Sequence, residues 1–274
     1  MKNIKKILIY LCICLLFVSC GDNSVPKETD DEEIYRIRNV IKKEKWIIHA
    51  GGIQDNSGKL YTYTNSKNAL LNCRAKGNNI SEIDFRISSD NCLVCTHEWT
   101  MMYKNGVALS DYPVTKDEFL ECKTHGGFTS MWLGDLVEFL EENPDFLFIT
   151  DIKDNNVQGC SIIADYCPKW KDNFIIQIYH ASEYDQIRAL GFRNIIYTLY
   201  ASSAEEREVN TLLVFAQNHE LIGFTYWADW QDTYLQPFLA AGYSSYVHTV
   251  NDIEERNALL NLGIEAIYTD IVDN

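Results

Sequence analysis

The chain has 274 residues, 46% of them hydrophobic, and a net charge of −15 from 24 Lys and Arg against 39 Asp and Glu. This apolar content supports a sizeable core and excludes a wholly disordered chain. The acidic balance excludes a nucleic-acid binder that grips phosphates, since that needs a basic surface.

The first element is a short apolar run. Lys2, Lys5 and Lys6 precede twelve mostly apolar residues, Ile7 to Val18, and Ser19, Cys20 and Gly21 follow. A basic start, a short apolar stretch and a small-residue boundary at cysteine read as a signal peptide over residues 1–19 with a lipoprotein-type cleavage site. As a helix the run would reach about 18 Å, short of the roughly 30 Å hydrocarbon core, so a permanent span is not expected. Cys20 is the expected lipidation site. The segment resembles a bacterial lipoprotein signal, which implies export and anchoring to an envelope membrane, periplasmic or surface-facing, through acyl chains. Removing residues 1–19 leaves 21 Lys and Arg against 39 Asp and Glu, a net charge of −18, so an anionic substrate needs a local cation.

Residues 20–45 read as the lipidated cysteine, an acidic tether and a leading helix, with the tether running from Gly21 to Glu33 because it lacks apolar periodicity. From Trp46 onward strand and helix signals alternate. Strands are expected over Trp46 to Ala50, Ile80 to Phe85, Phe146 to Asp151, Phe174 to Tyr179, Asn194 to Leu199, Leu221 to Tyr226, Ser245 to Thr249 and Glu265 to Thr269. A return strand, Leu93 to His97, follows the turn at Ser89–Asn91. Helices are expected over Asn65–Ala75, Ala181–Leu190, Ser203–Gln217 and Asp252–Leu262, three of them ending just before a glycine. Asn251 and Glu254 fit a capping pair, while Asn155 and Asn156 read as a turn. Eight strands alternating with helices predict a single (β/α)8 TIM-barrel domain over residues 46–274, with Trp99 to Asn143 inserted after strand two.

Active sites of such barrels gather at the C-terminal strand ends, and so do the candidates here. Glu82 and Asp84, two apart on one strand, place carboxylates about 7 Å apart on one face, a spacing suited to a hard divalent cation. Arg86 shares that face. His49 and His97 end apolar runs, where an imidazole can act as acid or base. Asp151 ends the third strand with Lys153 two residues on, and Trp227 follows the sixth strand with Asp229 and Trp230, where an aromatic wall for a sugar or glycerol group would stand. His180 could reach the mouth; His125 and His219 read as surface residues, and His248 as an internal strand residue outside the chemistry. Six cysteines, Cys73, Cys92, Cys95, Cys122, Cys160 and Cys167, remain after the signal and Cys20, and buried free thiols are expected. Cys92 and Cys95 have an odd strand offset that puts their sulfurs on opposite faces.

The ordered set His49-Ala-Gly-Gly52, Thr64-Asn-Ser66, Glu82-Ile-Asp84, Ser89-Asp90, His97-Glu98, Asp151-Ile-Lys153, Thr249-Val-Asn251 and Thr269-Asp270 resembles the glycerophosphodiester phosphodiesterase superfamily, which includes the phosphatidylinositol phospholipase C-like enzymes. The resemblance implies cleavage of a small phosphodiester or lipid headgroup, with His49 and His97 as the acid/base pair. It also implies one divalent cation, Ca2+ or Mg2+, held by Glu82, Asp84 and Asp151. Lys153 would then bind substrate. Where the family carries an arginine, a glutamate and a second glutamate, this chain has Ala50, Thr64 and Asp151. Arg86 is expected to replace the missing phosphate contact. The same departures motivate the alternative of a non-catalytic surface lipoprotein holding a sugar phosphate or a metal. Oligomeric state is not legible.

Overall fold

The computed structural model describes residues 30–273, so the signal segment, Cys20 and the tether up to residue 29 lie outside the described residues. Eight parallel strands form the barrel: β1 (Trp46–Ile48), β2 (Ile80–Ile87), β3 (Leu147–Ile152), β4 (Phe174–Ile178), β5 (Ile195–Thr198), β6 (Gly223–Trp227), β7 (Ser245–His248) and β8 (Ala266–Thr269). Nine helices are described: α1 (Asp30–Glu44), α2 (Lys67–Ala75), α3 (Lys116–Leu120), α4 (Leu133–Glu142), α5 (Asn156–Tyr166), α6 (Tyr184–Ala189), α7 (Val209–Asn218), α8 (Gln231–Ala240) and α9 (Ile253–Leu262). Strand order follows chain order, β8 pairs with β1, and the ring closes where Ile48 lies opposite Ser81 and the Ser81 hydroxyl donates to the Ile48 carbonyl. The architecture is the (β/α)8 barrel.

Inside the barrel the strands divide along their length. Near the N-terminal ends, Ile47, Ile80, Ile149, Ile175 and Ile196 form one apolar cluster with Ile34, Ile37 and Ile41 of α1. Each of these residues is buried, contributing about 1.5–3 kcal/mol of transfer free energy. Their spacing along α1 puts all three on one stripe, which plugs the bottom of the barrel. This helix starts at Asp30, so the expected tether ends four residues earlier than the composition suggested; Glu33 is buried and accepts from Arg36. Two residues further along the strands, the inward positions turn polar: Glu82, Asp151, Gln177 and Thr198. The polar end is the C-terminal one.

A second apolar layer packs the helices onto the outside of the sheet. Gly159 is required there, since a Cβ would stand 2.7 Å from Ile152. The stretch after β2 makes a hairpin with Leu93–Cys95, then a three-stranded sheet and α3 around a small core of Val94, Trp99, Met102, Phe119 and Cys122, before α4 returns to the barrel wall. Sequence periodicity missed α5 and α8. Pro237 lies inside α8, and Asn155 is no mere turn residue but caps α5 by accepting from the Gln158 N–H. The helix expected from Ser203 begins only at Val209. The six cysteines are free, and all but the half-buried Cys92 are buried.

Candidate active site

His49 leaves β1 in a turn that no ordinary strand end would make. Ala50, Gly51 and Gly52 all have positive φ, at 49°, 79° and 91°. Gly52 lies so close to Val272 that a Cβ would come within 2.3 Å. The turn aims the Ala50 N–H at Glu82, whose Oε2 accepts at 2.9 Å, and sets the His49 ring against Asp270. His49 Nδ1 donates to Asp270 Oδ1 at 2.8 Å, while Asn251 Nδ2 donates to Asp270 Oδ2 at 2.7 Å. Asn251 also accepts from the Asp270 N–H, which fixes the carboxylate twice over. Asn251 therefore serves β8, and Asp252 caps α9 in its place.

Glu82, Asp84 and Asp151 each offer one oxygen to a common point, with these atoms all within 4.8 Å of one another. The three carboxyls are buried, at 0%, 1% and 5% exposure. Asn65, in the left-handed region at φ 43°, holds Asp84 from both sides: its Nδ2 donates to Oδ2 at 2.7 Å and its Oδ1 accepts from the Asp84 N–H at 3.0 Å. Tyr179 and Tyr200 donate to the two oxygens of Asp151, at 2.6 and 2.9 Å. The Lys153 ammonium bridges the cluster, 2.8 Å from Asp84 and 2.7 Å from Asp151.

Burial pushes the Glu82 carboxyl well up, and the Asp84 charge beside it adds to the rise. Burial acts on Asp151 the same way, but Lys153 and the tyrosine hydroxyls outweigh it and leave that group below its ordinary value. Buried Glu82 Oε1 has no hydrogen-bond partner among the described residues. A set of hard oxygen donors with one buried oxygen left unpaired fits a divalent cation of the Ca2+ or Mg2+ type.

The two imidazoles differ. Burial would drive His49 toward neutrality, but the hydrogen bond to Asp270 and the charges of Glu82 and Asp84 reverse this and raise it to about 9. His97 is lowered, chiefly by burial. One histidine is held charged and the other neutral. The Tyr63 ring lies between them, edge-to-face with both, 4.4 Å from His49 and 5.0 Å from His97 between centroids.

No family model matches the chain, and no curated protein matches its sequence. Solved structures match its fold. A glycerophosphodiester phosphodiesterase from Thermotoga maritima, 17% identical, aligns with a TM-score of 0.64 over 84% of this chain and 95% of its own. A phosphodiesterase from Oleispira antarctica, solved with the product sn-glycerol-3-phosphate and 18% identical, gives 0.63 over 82% and 92%. A glycerophosphoryl diester phosphodiesterase from Parabacteroides distasonis, 16% identical, gives 0.60 over 90% of each chain. The chain has the glycerophosphodiester phosphodiesterase fold.

On that fold the three expected acids converge, Lys153 lies within ion-pair distance of Asp84 and Asp151, and His49 and His97 flank one tyrosine at the same mouth. Trp227 stands at the rim, 39% exposed, with its ring 4.9 Å from that of Tyr200. Arg86 differs from expectation. Its charge is met by Glu98 and Asp154, both at 2.9 Å, and its Nε donates to the His97 carbonyl. The guanidinium thus braces the His97 hairpin against the end of β3 and is not a free cation for phosphate. His180 turns aside to Glu206 at 3.0 Å, His125 is tied to the Thr62 carbonyl, and His219 stacks on Phe215.

Sequence reasoning placed Asn65, Asn251 and Asp270 in family-like motifs without a role in the site, read Asn251 as a helix cap, and gave no role in the chemistry to Tyr63, Tyr179, Tyr200 or His248. Tyr179 and Tyr200 carried a readable signal, being two residues past the inward-facing Gln177 and Thr198. Asp270 stood in the Thr269-Asp270 motif, but its pairing with His49 was not legible, because the two lie 221 residues apart.

Proposed function

We propose that this chain is a metal-dependent phosphodiesterase that cleaves a glycerophosphodiester or a related phospholipid-headgroup or glycan phosphodiester by histidine acid-base catalysis. The carrying observation is the juxtaposition of a buried oxygen cluster with one charged and one neutral imidazole. Two titratable groups whose surroundings push them apart suit acid and base roles in one site. Neutral His97 takes the proton of the attacking oxygen, and the His49 imidazolium, oriented by Asp270, returns one to the departing oxygen. Glu82, Asp84 and Asp151 would hold Ca2+ or Mg2+, which supplies charge neutralisation at the phosphoryl oxygens. Lys153 adds a second positive charge on the same side, and the net charge of −15 makes such local cations necessary for an anionic substrate.

The fold supports this reading, and so does the ordered match of short motifs along the whole barrel. The proposed setting is outside the cytoplasm, attached to a membrane through lipidated Cys20. Its support is the Lys-rich start, the short apolar run and the cysteine boundary. No helix among the described residues is long and apolar enough to cross a membrane.

The test is hydrolysis of glycerophosphocholine, glycerophosphoinositol and glycerophosphoglycerol in Ca2+, in Mg2+ and in chelator. Release of a phosphomonoester that stops in chelator is expected. Equal rates with and without chelator would remove the metal from the reading.

A further inference from the structure

Helix α1 is tied to one end of the barrel along its length. Asn194, just ahead of β5, donates to Glu33 Oε1 at 3.2 Å. Arg38 donates to the carbonyls of Leu221 and Ile222, just ahead of β6, at 2.5 and 2.7 Å. Lys42 lies 3.2 Å from Glu265, ahead of β8, and Asn79, ahead of β2, donates to Glu44 Oε1 at 2.9 Å. Each partner precedes the N-terminal end of its strand, so α1 underlies the face opposite the catalytic mouth. Ile34, Ile37 and Ile41 are buried in the same contact. The chain therefore enters the barrel from below, at Asp30, one turn ahead of Glu33.

Residues 21–29 are all that separates Cys20 from Asp30, and along any path they span at most about 36 Å. A compact domain of the length of residues 30–273 has a radius of gyration of about 18 Å and is about 46 Å across, so a path over its surface from the bottom to the mouth is about 70 Å. The linker covers about half of it. Laying the barrel on its side does not close the gap. Glu82, Asp84 and Asp151 are buried, so a phosphodiester has to enter along the barrel axis, which would then run parallel to the bilayer at a height of about 23 Å.

We propose that the lipid anchor at Cys20 holds the barrel with α1 toward its membrane and the mouth turned away. The enzyme then cleaves phosphodiesters dissolved in the surrounding water and does not act on the headgroups of the bilayer that anchors it. A mouth that its linker cannot carry to the surface meets the lipid there at an effective concentration near zero. This rests on the phosphodiester reading and on the lipidation of Cys20.

The experiment uses the full lipidated chain on vesicles of phosphatidylethanolamine and phosphatidylglycerol with an acceptor dye on their headgroups. A donor dye is attached on α1 through Asn39→Cys, or at the mouth in the loop after β5 through Ala204→Cys, both exposed positions. The background is Cys92→Ser, because the other five described thiols are buried. Energy transfer to the bilayer should be several-fold greater from residue 39 than from residue 204. Inserting about thirty Gly and Ser residues between Ser24 and Val25 extends the reach to about 130 Å and should bring the two positions close to parity. On the vesicles with the native linker, soluble glycerophosphoglycerol should be hydrolysed in Mg2+, and vesicle phosphatidylglycerol, which carries the same headgroup diester, at least about tenfold more slowly. Equal transfer from the two positions, or equal hydrolysis of the two diesters, would overturn the inference and leave the phosphodiester reading standing. A difference in transfer that persists in the lengthened chain would also overturn it, since the linker would not then set the orientation. Protein that stays off the vesicles would overturn the lipidation and this inference together. Transfer as expected with no hydrolysis of the soluble diester would overturn the phosphodiester reading and leave the orientation standing.

Discussion

Replacing Lys153 by methionine separates the cation that the protein carries from the one it is proposed to bind. The ammonium is 2.8 Å from Asp84 and 2.7 Å from Asp151, and both carboxylates are buried. Burial would weaken its hold on the proton, but the charges of Asp84, Asp151 and Glu82 prevail and raise it above its ordinary value. Methionine keeps the length and loses the charge, leaving three clustered acids with no bridging cation. Removing one partner from a buried pair costs about 3–5 kcal/mol. In a domain of this size that is a fall in Tm of roughly 6–20 °C. Two conditions should change the loss. Without the ammonium, the acids titrate higher in the folded state than in the unfolded chain, so the deficit is full at neutral and alkaline pH and shrinks as acid protonates them. At one fixed concentration of divalent cation, a hundred times its Kd for Lys153→Met, the variant should regain about 2.7 kcal/mol and the unsubstituted protein less, because there the ion must displace an ammonium first. Thermal melts in chelator and in Ca2+ or Mg2+ read both effects. A variant that melts with the unsubstituted protein in chelator, or equal metal-induced gains in the two proteins, would refute the reasoning.

Other expectations follow from the same geometry. Asp270→Asn replaces with a neutral amide the carboxylate whose hydrogen bond and charge help raise His49 to about 9, so the imidazole should titrate markedly lower by NMR. Because the folded value lies above the unfolded 6.5, the stabilisation is whole below pH 6.5 and is lost as pH climbs through 9; denaturant melts of Asp270→Asn should lack that slope, and an unchanged slope would count against the pair. Asn65→Ala deletes a charge-assisted hydrogen bond worth about 1.5–3 kcal/mol, and metal affinity by calorimetry should drop roughly tenfold or more. Unaltered affinity would show that Asp84 needs no such clamp. Arg86→Ala should lower kcat with KM nearly constant, since Arg86 holds the His97 hairpin; a rise in KM alone would restore it as a phosphate ligand. Tyr63→Phe should stay near full activity while Tyr63→Ala falls about tenfold, through loss of two ring contacts of about 0.5–1.5 kcal/mol each. A large loss in Tyr63→Phe would put the hydroxyl in the chemistry.

Much of the barrel was legible because burial writes itself into strand sequence. Ile80-Ser-Glu-Ile-Asp-Phe-Arg-Ile87 alternates faces over β2, so Glu82 and Asp84 could be placed together from spacing alone. Asp151 and Lys153 were readable for the same reason at the end of β3. What stayed hidden depends on closure of the ring. Whether a charge such as Arg86 faces substrate or is consumed by neighbours is decided by Glu98 and Asp154, which come from separate loops. The pairing of His49 with Asp270 joins the first and last strands. Helix α8 escaped because Pro237 argues against a helix locally, while Tyr234, Leu235 and Phe238 bury its face against the barrel. The leading helix was expected, but the start of α1 hid in its acidic first turn, where Asp and Glu suit a helix N-terminus as well as a tether.

The most direct test of the central claim is phosphorus NMR of glycerophosphodiester turnover in Mg2+ and in Ca2+, for the unsubstituted protein beside His49→Ala and His97→Ala. Metal-dependent conversion to a phosphomonoester or cyclic phosphate, abolished by either substitution, is the predicted result. Measurable metal binding with no conversion of any phosphodiester would contradict it, and would make the chain a binding protein built on a phosphodiesterase fold.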